Sequence, residues 1–140
     1  MTSSNSTESA PSQPGVTARC SLSPAAGPDG PRQVRAWVRR TVSRLLPGVG
    51  ASWVSDVVMV LDELVSNALR HGRGCRNVQV TLGEDHIVLQ VTDASPAPAR
   101  LVDTAVRRVS GLRLIEQACT RWGQGAARGG KTVWAELPRG

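Results

Sequence analysis

Between residues 54 and 69 the apolar side chains Val54, Val57, Val58, Leu61, Leu64, Val65, Ala68 and Leu69 keep an i, i+3, i+4, i+7 rhythm. That is the pattern of an amphipathic α-helix with one broad core face. A helix so apolar on one side has to be covered, and the rest of the chain must supply the cover. Ser52 is the expected N-cap, and Gly72 stands where a left-handed residue would end the helix. Glu63 and Asn67, four apart, project from one face, with Arg70 and His71 a turn further on. An asparagine amide oxygen is a hard, neutral ligand for a magnesium ion that keeps most of its water and shares its other contacts with phosphates. A carboxylate beside it can orient or deprotonate a nucleophile. Taken alone, the pair reads first as the solvated side of a helix, and its meaning depends on what accompanies it.

Alternation elsewhere predicts the covering layer. Val16, Ala18, Cys20 and Leu22 interleave with polar residues, as on an edge strand. Asn77 to Leu82 and Ile87 to Thr92 alternate on either side of a Gly83-Glu84-Asp85-His86 turn, and a last strand runs from Thr132 to Leu137. Asp29 can cap a helix from Pro31 to Leu46, with Val34, Trp37, Val38, Val42, Leu45 and Leu46 inward. Arg32, Arg35, Arg39, Arg40 and Arg44 form its outer face. A third helical run opens at Gly111 and ends near Trp122, and a glycine-rich loop from Gly125 to Gly130 follows it. Residues 1–15 have almost nothing to bury and read as a disordered tail, leaving one domain over residues 16–138. Residues 94–109, rich in Pro, Ala and Arg, read as a loop or lid. The expected fold is an α+β two-layer sandwich, with a mixed or antiparallel sheet of about four strands covered on one face by three helices.

With 140 residues the chain has room for one core, not two. No window reaches the eighteen or more apolar residues of a membrane span, and the polar N-terminus lacks a signal-peptide apolar region, so a cytoplasmic protein is expected. Cys20, Cys75 and Cys119 are scattered and odd in number, which argues against a disulfide framework or a zinc site. The net charge of +6 is nearly all arginine, Lys131 being the one lysine. Arginine suits phosphate, but charge alone does not choose between nucleotide, nucleic acid and an acidic protein.

Asp93 follows a strand directly, where a buried carboxylate can read a ligand. Ionised, it only accepts hydrogen bonds, so it would pair with the exocyclic amine of adenine and repel the carbonyl of guanine. By itself it is a turn-forming aspartate. Gly111, ahead of a helix, could bring backbone N–H groups to a phosphate, or be an ordinary N-cap. His71 reads as a donor to the helix C-terminal carbonyls rather than as a base. Gly125-Ala126-Ala127-Arg128-Gly129-Gly130-Lys131-Thr132 spells G-x-x-x-x-G-K-[ST], the phosphate-cradling loop. That mechanism needs a strand before and a helix after. Here a helix is expected before and a strand after, so the match reads as a glycine-rich turn. The arginine face of the first helix lacks a helix-turn-helix partner and aromatic interleaving, which makes direct nucleic-acid binding a poor reading.

Together these pieces resemble the ATPase domain shared by gyrase, the ninety-kilodalton heat-shock chaperone and histidine kinases. More narrowly they resemble its small bacterial branch, the anti-sigma-factor serine kinases and their actinobacterial relatives. Glu63-Leu64-Val65-Ser66-Asn67-Ala68 with Arg70-His71 is similar to that family's first motif. Val91-Thr92-Asp93-Ala94-Ser95-Pro96 is similar to its second, and Gly111-Leu112-Arg113-Leu114-Ile115 to its third. Arg121-Trp122-Gly123 and Gly130-Lys131-Thr132-Val133-Trp134-Ala135-Glu136-Leu137 are similar to its C-terminal end. Motifs occurring in order are more specific than any one alone.

The resemblance implies ATP and Mg2+ as cofactors. It implies Glu63 as catalytic base and Asn67 as the magnesium ligand. Asp93 would bind the adenine amine, Thr132 would support it, and Ser95, Gly111 and Leu112 would line the nucleotide site. The implied activity is transfer of the γ-phosphate to a serine of an antagonist protein, by a chain that also holds a sigma factor and is expected to pair as a homodimer in the manner of its relatives. Two features depart from the pattern. Val109-Ser110-Gly111-Leu112 stands where G-x-G-L is usual, and a β-branched residue resists positive φ. The segment from Pro96 to Val109 is also short for a lid. Both bear on phosphate grip more than on the adenine pocket, so nucleotide binding is expected ahead of kinase turnover. The alternative is a degenerate or nucleotide-free module that works by contacting a protein partner.

Overall fold

The alternation around the turn at residues 83–86 produces a hairpin, and the sheet grows outward from it. The computed structural model describes residues 4–6, 10, 15–21, 30–71, 75–94, 115–127 and 129–139. Its elements run β1 (Ser4–Ser6), β2 (Val16–Ser21), α1 (Gly30–Leu45), α2 (Ala51–His71), β3 (Cys75–Leu82), β4 (His86–Asp93), β5 (Arg121–Ala127) and β6 (Gly130–Pro138). The Gly83 N–H donates to the His86 carbonyl at 2.8 Å and closes the β3–β4 turn. β2 pairs with β3, β4 with β6 and β6 with β5, all antiparallel. The spatial order is β1-β5-β6-β4-β3-β2, with β1 added parallel to β5.

Side-chain parity sorts the two faces of this sheet. Ile87, Leu89 and Val91 stand opposite Leu137, Ala135 and Val133 on one side and Leu82, Val80 and Val78 on the other. All nine are buried in one core with Val34, Val38 and Val42 of α1 and Val57, Leu61, Leu64 and Val65 of α2. Each valine, leucine or isoleucine among them contributes ~1.5–3 kcal/mol by leaving water. A register shift between Cys75 and Asn77 places an extra residue in β3. It keeps Cys75 on the helix-facing side, where it is buried. The outer face carries Thr92, Thr132, Gln90, Trp134 and Glu136. There Arg121 grips Glu136 through two contacts (3.3 and 3.1 Å) and lies 5.8 Å over the Trp134 ring.

Two contacts set the helices. The Trp53 indole N–H donates to the Pro138 carbonyl at 2.8 Å, fixing the start of α2 where β6 ends. Arg35 and Asp62 pair at 2.6 Å between α1 and α2, both partly exposed, a contact worth under ~1 kcal/mol.

The fold is the α+β sandwich the sequence implies, but among the described residues its sheet has six strands rather than about four. β5 occupies residues read as a helix end and a glycine-rich loop. Its sequence, RWGQGAA, carries almost no alternation of its own, and pairing with β6 imposes the strand. Gly123 stands opposite the bulky Trp134. β1 occupies three positions of the segment read as a disordered tail. Ser4, Asn5 and Ser6 pair along the outer edge of β5, which composition does not reveal. Helical residues 115–118 belong to the third run, whose earlier part lies outside the described residues. Ser52 is not the cap of α2: the Gly50 carbonyl already accepts the Val54 N–H at 3.2 Å, which makes Gly50 the N-cap. Asp29 and Gly72 lie outside the described residues.

Candidate functional site

The core face of α2 is apolar for most of its length and then admits one amide. Asn67 is 1 % exposed, between Leu64 and Ala68 in the buried stripe. Its Nδ2 is buried with no hydrogen-bond partner among the described residues. A buried donor left unmatched costs ~1–3 kcal/mol, so a sequence choosing only for stability would place leucine there. Glu63, one turn earlier, is half-buried.

The Trp53 anchor fixes one end of α2 against the end of β6. From Trp53 to Asn67 the helix rises ~21 Å, and from Pro138 back to Lys131 the strand covers ~23 Å. β4 runs alongside in register, His86 opposite Pro138 and Asp93 opposite Lys131. A helix that follows the strands from that anchor would carry Asn67 toward the Asp93 end of the layer.

Asp93 is 1 % exposed and shares the helix-facing parity of Ile87, Leu89 and Val91. Its Oδ2 lies 2.8 Å from Nζ of Lys131, whose side chain is 6 % exposed. The contact is an ion pair, and Nζ has no further acceptor among the described residues. Gly130 makes this approach possible, because a Cβ there would run into the Asp93 carbonyl. Cys75 is opposite Asp93 on the other side. Burial, then the Asp93 charge, then Cys20, push its thiol up to about 12. Burial alone pushes Cys119 to about 12, so neither is a thiolate at neutral pH.

Thr132 is not where the resemblance would use it. Its Oγ1 bonds Thr92 Oγ1 at 3.1 Å, on the face of the sheet opposite to Asp93. Lys131 has the place beside the carboxylate. The sequence held the signal: Lys131 has the same parity as Val133, Ala135 and Leu137 and so must face the helices. Ser95, Gly111 and Leu112 lie outside the described residues, as do Val109, segment 96–109 and the side chains of Arg70 and His71.

The phosphate-loop spelling from Gly125 to Thr132 spans the β5–β6 hairpin, with Gly129 at φ +72° in the turn. A strand precedes it, not the expected helix. A strand also follows, so no helix N-terminus faces the loop and the rejection holds. Among the described residues no three His, Cys, Asp or Glu side chains gather to hold a metal. Asn67 fits a magnesium ion only as a single protein ligand, with phosphates and water completing the shell.

The family model described as a histidine kinase-like ATPase domain matches residues 27–134. No curated protein matches the chain.

Proposed function

From the premise that the chain belongs to the histidine kinase-like ATPase domain family, we propose an ATP-binding anti-sigma factor with serine kinase activity toward an antagonist protein. Its site is the layer between the end of α2 and the ends of β4 and β6. Asn67 holds magnesium, Asp93 reads the base, and Glu63 takes the proton of the accepting serine. Ser95, Gly111 and Leu112 complete the nucleotide site. The nucleotide supplies the transferable phosphoryl group, and its transfer depends on positioning and charge neutralisation. The observation that carries the reading is the Asn67 amide, buried on the core face of α2 with its Nδ2 unmatched among the described residues.

No helix among the described residues is long and apolar enough to cross a membrane, which suits a cytoplasmic regulator. Sigma factor, antagonist and a second copy of the chain are the proposed partners. A second reading, a nucleotide-free interaction module, is favoured by one contact: Lys131 already occupies Asp93.

Calorimetry with magnesium-ATP separates the two. Binding that needs magnesium and is lost in Asn67→Ala supports the first reading, and no binding to the wild type leaves the second. Incubation with γ-labelled ATP and a candidate antagonist then tests transfer, which Glu63→Gln should abolish.

A further inference from the structure

A carboxylate that reads a base alone and one paired with a buried ammonium recognise different ligands. We propose that Asp93 and Lys131 act as a two-charge reader of the purine edge, and that Lys131 admits 6-oxo purine nucleotides alongside those of adenine. The inference rests on the nucleotide-binding reading and names its substrate class.

Asp93, accepting only, favours the 6-amine of adenine and penalises the 6-carbonyl of guanine or hypoxanthine. Lys131 supplies what is missing. It is the one lysine of the chain, 5 % exposed. Its ammonium stands 2.8 Å from Oδ2, which takes one of its donors, and it has no second acceptor among the described residues. Ammonium groups carry three donors and no acceptor, so this one calls for an acceptor from a ligand. A guanine edge meets both charges: O6 accepts from Lys131, while N1–H and the 2-amine donate to Asp93. Hypoxanthine offers O6 and N1–H in the same arrangement. Adenine also presents a donor beside an acceptor, the 6-amine and N1, but adds its donor to a carboxylate that already holds a cation.

Strong rejection of an analogue arises when a site's buried polar groups are left unpaired. With both signs present, neither class of purine leaves one unpaired, and the preference for adenine narrows to within about tenfold. The arrangement is built into the backbone. Register puts Lys131 opposite Asp93, and Gly130 lets the two strands close beside them. Thr132 faces away and is bonded to Thr92, so it cannot substitute.

Competition binding of ADP, GDP and IDP to wild type, Lys131→Met and Lys131→Arg tests the inference. IDP isolates the 6-carbonyl and its N1–H, and GDP adds the 2-amine. Wild type should bind all three within about tenfold. Lys131→Met should weaken GDP and IDP by roughly ten- to a hundredfold, the scale of one charge-assisted hydrogen bond, while ADP holds or tightens. Lys131→Arg should keep the 6-oxo nucleotides. Should Lys131→Met fail to fold, Lys131→Gln reads the same ratio with the charge removed. Wild type that rejects GDP and IDP more than about a hundredfold relative to ADP overturns the inference and leaves the nucleotide reading standing. So does an ADP-to-GDP ratio unmoved by loss of the charge. Binding of no purine nucleotide overturns both.

Discussion

Asn67→Leu should make the nucleotide-free protein more stable and its magnesium-dependent ATP binding undetectable. The two side chains branch alike and hold the same number of heavy atoms beyond Cα, so leucine can enter the site with little rearrangement. What is removed is an amide whose Nδ2 is buried without a partner among the described residues, in a residue 1 % exposed. Relieving that donor returns ~1–3 kcal/mol. For a domain of this size each kcal/mol moves Tm by about 4 °C, so the rise should be ~4–12 °C. Differential scanning calorimetry without nucleotide gives the first half, and titration with magnesium-ATP the second. Adding magnesium-ATP should raise the wild-type Tm and leave the variant unmoved. A variant that melts lower than wild type refutes the reasoning, because the amide would then be satisfied and its burial structural. A variant that melts higher and still binds nucleotide would clear Asn67 of the metal role.

The Lys131–Asp93 pair predicts that Asp93→Asn, which strands a buried ammonium, costs ~3–5 kcal/mol. Asp93→Asn with Lys131→Met should recover most of that loss in urea unfolding. Gly130→Ala should destabilise the protein and loosen the same pair, because its Cβ has to displace the Asp93 backbone; amide exchange across β4 and β6 would report it. Burial raises the Cys75 and Cys119 thiols to about 12 from an ordinary value of 9.0. Raised values mean that the unfolded state sheds these protons first. The stability they contribute is intact below pH 9 and declines between pH 9 and 12, by up to ~1.4 kcal/mol per pH unit for each thiol. Urea midpoints should fall across that window, less steeply in Cys75→Ala with Cys119→Ala. Truncating Trp134, 1 % exposed, to alanine should cost ~3–5 kcal/mol.

Strong periodicity made parts of this molecule legible. The helix-facing stripe from Val54 to Ala68 and the alternation through Val78, Val80, Ile87 and Leu89 fix their own burial whatever surrounds them. β5 was not legible, since Gly123, Gly125 and the alanines take their conformation from β6. Nor was β1, whose Ser-Asn-Ser sequence carries no apolar alternation to read. At the site, Asn67 and Asp93 stood out through their motifs. Lys131 was hidden by the similarity of the C-terminal motif, which drew attention to the neighbouring hydroxyl. Its parity with Val133 would have placed it correctly, because adjacent residues of a strand cannot face the same ligand.

The pairing of Ser4 with Arg121 joins positions 117 apart in the chain. During synthesis this edge has no template until β5 leaves the ribosome, so β1 can settle only after the β5–β6 hairpin has formed. Three residues of strand repay little of the entropy of closing so long a loop. Exchange of amide hydrogens there should be among the fastest in the sheet, and the outer rim of β5 should lie open for part of the time.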